Sequence, residues 1–163
     1  MTQEVRPLFV FGTLMDADVL QLVCGMNLSE LTLQPAVANG FKRRTVLGES
    51  FPVLVDVKGE SVSGVLVCGL SQRALQRAQF FEGEEYVLKP IHVEGLPESH
   101  SSQQRVGELE AVFFADNAVY ACEDKDWSIQ HWQGQDKAEF LPRLACYMNL
   151  FGSMSAAEAD QHW

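Results

Sequence analysis

The chain has no two cysteines close enough in sequence to make a metal site or a redox pair. Its four, Cys24, Cys68, Cys122 and Cys146, are widely spaced, and none belongs to a C-x-x-C motif or a ligand-like group with histidine. They read as reduced, mostly buried thiols. Cations are scarce as well: 12 Lys and Arg stand against 22 Asp and Glu, a formal net charge of −10. A non-specific nucleic-acid binder neutralises phosphates with clustered Lys and Arg, so nucleic acid is not an expected partner. Long apolar runs are missing, and no segment approaches the ~18 residues of a membrane span. The start, Met1-Thr2-Gln3-Glu4-Val5-Arg6-Pro7, lacks the basic head and apolar run of a secretory signal. The expectation is a cytoplasmic protein with no membrane partner. Neither H-E-x-x-H nor G-x-S-x-G occurs, so no metal and no cofactor is expected.

What is present suits a folded chain. At 163 residues and 47% apolar composition it can bury a substantial core, and a single domain over 1–163 is expected. Leu8-Phe9-Val10 runs into Phe11-Gly12-Thr13-Leu14-Met15-Asp16, which reads as a strand, a tight turn and a helix N-terminus. Such a turn leaves backbone N–H groups without intrahelical partners and aims them, with the helix dipole, at one point that favours an anion. Gly12 suits close approach of a ligand or a positive φ. Most strand–Gly–helix turns are only connections, and that reading stands beside the functional one.

Val19, Leu22, Val23 and Met26 recur at helical spacing, with Gly25 as the stop. Residues from about 32 to 70 are β-like: Phe51–Val57, a Lys58-Gly59-Glu60 turn and Ser61–Val67 predict a hairpin. Ser71 caps a helix over Gln72–Glu82 that Gly83 ends, and Tyr86–Val93 is a strand. Residues 95–107 read as a polar surface loop. Glu110–Ala115 and Ala118–Ala121 read as strands joined at Asp116-Asn117. A helical tail from about residue 126 carries one apolar stripe, Leu141, Leu144, Ala145, Met148 and Phe151. Short strands with helices inserted between them predict a curved or closed sheet in an α+β domain.

In the second helix a step of 100° per residue puts Ala74, Leu75, Ala78, Phe81 and Glu82 in one arc, while Arg73, Gln76 and Arg77 point away. Burial raises a carboxyl's pKa, as would Glu84 or Glu85 nearby, and such a group suits general base or acid work near neutral pH. The alternative is that Glu82 merely ends the helix and bends outward at Gly83. Tyr86, four residues on, either lines the same cavity or is an ordinary strand tyrosine. Adjacent Arg43 and Arg44 face opposite sides of a strand, so at most one could meet a substrate, and a solvated pair is favoured. His92, His100, His131 and His162 show no ligand or triad spacing. Trp127 and Trp132 read as helix packing.

Phe11-Gly12-Thr13-Leu14 and Phe81-Glu82-Gly83-Glu84-Glu85-Tyr86 resemble the paired motifs of the gamma-glutamylcyclotransferase-like superfamily, in its AIG2-like branch. There the first motif is Tyr-Gly-Ser/Thr followed by Leu or Asn, and the second a Glu-Gly with Tyr close behind. Phe51-Pro52 and Val62-Ser63-Gly64 stand between them in the order that family tends to show, and the resemblance covers roughly residues 7–122. It implies a small mixed α+β domain with a β-barrel core, flanking helices and a cavity at the barrel mouth. It also implies a small-molecule γ-glutamyl substrate bound by Phe11, Gly12, Thr13, Leu14 and Tyr86. Glu82 would take a proton from the α-amine, which attacks the γ-carbonyl, and then protonate the departing amine as 5-oxoproline closes. Two departures matter: Phe11 replaces the usual Tyr, and Ala78-Gln79 stands where Leu-Asp is frequent. They keep open a second reading, a non-catalytic small-ligand-binding domain with the same cavity. A third is an interaction module using the acidic surface.

Overall fold

A computed structural model describes residues 5–84, 86–96, 108–116, 122–123 and 125–163. Five strands close into a barrel in the order β1-β3-β2-β4-β5. β1 (Leu8–Val10) is short and central, as its unbroken apolar run suggests for a strand covered on both faces. It pairs antiparallel with β3 (Pro52–Cys68) through Leu8↔Val67, Phe9↔Leu66 and Val10↔Val65, and parallel with β5 (Glu108–Asp116) through Leu8↔Val112. β2 (Thr32–Thr45) pairs with β3 along most of its length and meets β4 (Tyr86–Gly95) at Ala36↔Gly95 and Val37↔Glu94; β4 pairs with β5.

Alternation sorts the side chains into two cores. Phe9 points into the barrel with Leu66, Ile91, Val93 and Phe113, and the small Ala36, Ala38 and Ala111 leave room for the two rings. Leu8 and Val10 point outward into a layer shared with the helices. Gly64 makes this closure possible: a Cβ there would lie 2.5 Å from the Val10 carbonyl oxygen and 2.7 Å from the Phe9 ring. The Val62-Ser63-Gly64 stretch is therefore a packing requirement of β1 against β3.

α1 (Ala17–Cys24) ends at Gly25, and α2 (Gln72–Glu82) is capped by the Ser71 hydroxyl and ended by Gly83, as expected. The tail folds into α3 (Ile129–Gln135), α4 (Lys137–Met148) and α5 (Ala156–Asp160). Leu144, Tyr147 and Met148 are its buried residues on α4, whereas Leu141, Ala145 and Phe151 are half-buried.

Several expectations are corrected. Residues 58–60 do not reverse the chain. β3 is continuous through them, and residues 57–60 form a bulge facing Gly40 alone, between the pairs Asn39↔Ser61 and Phe41↔Asp56. The reversal is the segment 46–51, before Pro52. A Lys-Gly-Glu signal marks a break in regular pairing, and a bulge breaks pairing as well as a turn does. The first helix also starts later. A 3₁₀ turn (Thr13–Met15) follows Gly12, and α1 is capped by Asp16, whose carboxylate accepts from the Asp18 and Val19 N–H groups. The dipole of α1 thus meets Asp16 and not the Gly12 turn. Gly12 has φ −125°, so positive φ is not its use. The thiols are less uniformly buried than expected: Cys24 is buried, Cys68 and Cys122 are half-buried, and Cys146 is exposed. Residues 97–107, Ala118–Ala121 and the Asn117 turn lie outside the described residues.

Candidate active site

α2 is locked about its axis. Ala74 and Ala78 are fully buried, their small side chains letting α2 approach α1. The Phe80 ring lies 4.7 Å from Tyr147 of α4, tilted against it, and meets Phe151 edge-on at 5.4 Å. Arg77, which points away from the apolar arc, donates through Nε to the Val23 carbonyl at 2.7 Å and through Nη2 to the Leu22 carbonyl at 3.0 Å. It closes the C-terminus of α1, whose last carbonyls lack intrahelical donors. With these faces committed, Glu82 in the last turn opens onto a cavity of about 750 Å³.

The turn after Glu82 is held by a residue that the sequence marked only as a departure. The Gln79 side-chain amide donates to the Gly83 carbonyl at 3.2 Å and the Tyr86 carbonyl at 2.8 Å, spanning the break from α2 to β4. Gly83, at φ 96°, takes a conformation that residues with a Cβ rarely adopt. Glu82 is half-buried, and no other described residue gives its carboxyl a hydrogen bond or a cation. Burial pushes its pKa up to about 8. The like-charge contribution expected from Glu84 is not among the causes; Glu84 is exposed, and Glu85 lies outside the described residues.

The same cavity is lined by Phe11, Gly12, Thr13, Leu14 and Tyr86. Met15 and Asp16 donate back to the Gly12 and Thr13 carbonyls at 3.0 Å, which tightens the turn. Among the described residues nothing accepts from the N–H groups of Gly12, Thr13 and Leu14. These donors belong to a 3₁₀ turn and not to an α-helix end. Pro52 supports the turn from below, where a Cβ on Gly12 would meet its ring at 3.3 Å. The 46–51 segment is pinned in turn by Trp127, whose Nε1 donates to the Ser50 carbonyl at 2.7 Å. Trp127, which stands before α3, therefore secures a cavity loop as well as packing in the core shared with the helices. The Phe11 ring lies 6.3 Å from Phe9 and 6.5 Å from Phe113, extending the barrel's aromatic packing into the cavity wall.

Arg43 is not the solvated residue expected. It donates to the Phe11 carbonyl at 3.1 Å and the Ser63 carbonyl at 3.2 Å and pairs with Asp126 at 3.3 Å, bracing the first motif from outside. Neither Arg44 nor any of the described histidines, His92, His131 and His162, lines the cavity; His100 lies outside the described residues. No three described His, Cys, Asp or Glu residues converge as a metal site.

The sequence missed the cavity wall from the tail: Asp136, Glu139, Phe140, Arg143, Tyr147 and Trp163. Nothing local signals them, because tertiary packing alone brings them to the cavity that Glu82 lines. Tyr147 donates to the Phe80 carbonyl at 2.6 Å; burial, then the charges of Asp160 and Glu84, push its pKa up to about 12.

Residues 8–133 match the family model described as gamma-glutamyl cyclotransferase, AIG2-like. AIG2-like protein B of Arabidopsis thaliana is 22% identical over 138 residues, covering 85% of this chain and 75% of that protein. Among solved structures, one Arabidopsis thaliana protein superposes with a TM-score of 0.59 at 18% identity, covering 87% of this chain and 82% of its own. A protein titled gamma-glutamyl cyclotransferase superposes with a TM-score of 0.52 at 14% identity, covering 96% and 85%. At these identities the structural likeness speaks for the fold.

Proposed function

The chain belongs to the AIG2-like gamma-glutamyl cyclotransferase family, and from that membership we propose that it converts a γ-glutamyl amine or peptide to 5-oxoproline and a free amine. One observation carries the reading. An unpaired carboxyl titrating near 8 opens onto the same cavity as three unanswered backbone N–H groups. In this reading the N–H groups of Gly12, Thr13 and Leu14 hold an oxygen of the γ-glutamyl group, and Tyr86 and Phe11 flank it. The ionised Glu82 takes a proton from the α-amine as its nitrogen bonds to the γ-carbonyl carbon. The bond from that carbon to the departing nitrogen then breaks, and Glu82 returns the proton to the leaving amine. Atoms balance with no other reactant. Attack within one molecule needs positioning and a proton carrier whose pKa lies near the working pH, so that both of its forms are accessible.

Glu82→Gln keeps the shape and removes the proton carrier. It is expected to lower the rate of 5-oxoproline release by roughly 10²–10⁴ while substrate still binds, read by turnover and calorimetry. Full activity in the variant would overturn the role of Glu82. Phe11, which lacks a hydroxyl, favours a second reading as a binding domain. Wild-type chain that binds γ-glutamyl compounds but releases no 5-oxoproline would establish that one.

A further inference from the structure

We propose that Arg43 is a positioning residue of the site: it aims the Gly12 N–H into the cavity and strengthens it as a donor to the γ-glutamyl oxygen. This rests on the cyclotransferase reading and adds to it a residue that does not stand on the cavity wall. Arg43 follows Phe41 by two residues on β2 and so shares its strand face, and Phe41 packs against the core inside the barrel. The Arg43 Nη1 donates to the carbonyls of Phe11 and Ser63 at 3.1 and 3.2 Å, where the chain leaves β1 beside β3. Its Nε meets Asp126 at 3.3 Å, and the side chain is 16% exposed.

The Phe11 carbonyl and the Gly12 N–H are the two ends of one peptide group. The bond between them is trans, and in a planar trans peptide the C=O and the N–H point in opposite directions. A guanidinium held on the carbonyl therefore sets the direction of the N–H, and Gly12 lines the cavity. Because the same nitrogen also holds Ser63 of β3, the peptide plane is fixed against the barrel. Charge adds to direction: a cation on a carbonyl draws electron density through the amide and makes its N–H a stronger donor. The guanidinium keeps its charge at every working pH, so the donor is strengthened whatever the protonation state of Glu82. Arg43 also reaches the segment 46–51 by a second route, since Asp126 accepts from the Trp127 N–H at 2.9 Å and Trp127 holds Ser50. The two routes are separable, because only the first passes through the Phe11 carbonyl.

Three variants of the full chain test this. Arg43→Met removes the charge and the donors at similar length, Arg43→Lys keeps the charge and a donor for the Phe11 carbonyl, and Asp126→Ala cuts only the route to 46–51. With γ-glutamyl alkylamides and γ-glutamyl dipeptides as substrates, Arg43→Met is expected to raise KM roughly tenfold at nearly unchanged kcat, by the same ratio at every pH. Arg43→Lys should recover most of that loss, and Asp126→Ala should keep the wild-type KM. A purely structural loss lowers the active fraction, and so the apparent kcat, without moving KM. In the ligand-free chain the Gly12 amide nitrogen and proton resonances should move upfield in Arg43→Met, further than those of Thr13 and Leu14. Should Arg43→Met fail to fold, Arg43→Gln, uncharged but still able to donate, takes its place in each comparison. An unchanged KM, a rise in KM reproduced by Asp126→Ala, or an unmoved Gly12 resonance overturns the role of Arg43 and leaves the cyclotransferase reading intact. If wild-type chain releases no 5-oxoproline from any of these compounds, the cyclotransferase reading falls and the Gly12 resonance decides. An upfield shift that Arg43→Lys reverses upholds Arg43 as the residue that sets this donor, and any other pattern overturns it.

Discussion

A glutamate in water gives up its proton near pH 4.5, whereas Glu82 in the folded chain holds its own to about 8. Between those values the native state binds a proton that the unfolded chain has released, so folding becomes less favourable as pH rises through that window. Below it both states are protonated and the penalty vanishes; above about 8 it is complete. Glu82→Gln should therefore be more stable than wild type at about pH 9, by on the order of a few kcal/mol. The gain should shrink to nothing by about pH 4, as read by urea denaturation across the range. A difference that does not change with pH would mean that Glu82 titrates normally. Asp16 has the opposite sign. Burial acts to raise its pKa, but hydrogen bonds from Lys137, Gln133 and the Val19 N–H outweigh burial and hold it low. Its contribution is present above the ordinary carboxylate range and is lost as pH falls through the folded value.

Among the elements, the joint between α2 and β4 sets the aim of Glu82. Gln79 is the side chain that bridges it, donating to carbonyls four and seven residues on. Gln79→Met keeps the length and leaves both carbonyls without that donor. The expected loss is about 1–2 kcal/mol of stability, with a fall in 5-oxoproline release through misplacement of Glu82. A variant unchanged in both denaturation midpoint and turnover would show that the amide does not hold the joint. α2 was legible in the sequence down to its caps, since Ser71, the apolar arc and Gly83 are all local signals. The start of α1 was not, because Thr13-x-x-Asp16 contains two residues able to cap and only the folded chain selects Asp16. It does so through Gln133 and Lys137, which reach its second oxygen at 2.9 Å from the distant tail.

At the scale of the molecule, the tail and the barrel share a core. Leu144 of α4 is fully buried in the cluster that holds Leu8 and Val10 of β1 and Val19 and Val23 of α1. The tail is thus part of what covers the outer face of the barrel. Leu144→Ala should cost about 2–5 kcal/mol and shift one common transition. Tryptophan fluorescence, reporting Trp127, Trp132 and Trp163, should change at the same urea concentration as far-ultraviolet dichroism from the strands. Separate transitions would show that the tail unfolds by itself.

By itself the sequence determined the α+β class and α2 with its caps, and offered the apolar arc as one of two places for Glu82, because periodicity and capping depend on residues within a turn or two of each other. The ordered motifs around Gly12, Pro52, Gly64 and Glu82 pointed to a closed barrel. Only the tertiary structure decided that residues 57–60 bulge instead of turning, since that depends on Gly40 in the facing strand. Only it turned Arg43 from a solvated cation into a brace on the Phe11 carbonyl and gave Arg77 the carbonyls of Leu22 and Val23. The cavity's third wall is the clearest case. Phe140, Tyr147 and Trp163 line the same cavity as Glu82 although more than fifty residues of chain separate them from it, a distance over which no local pattern carries information.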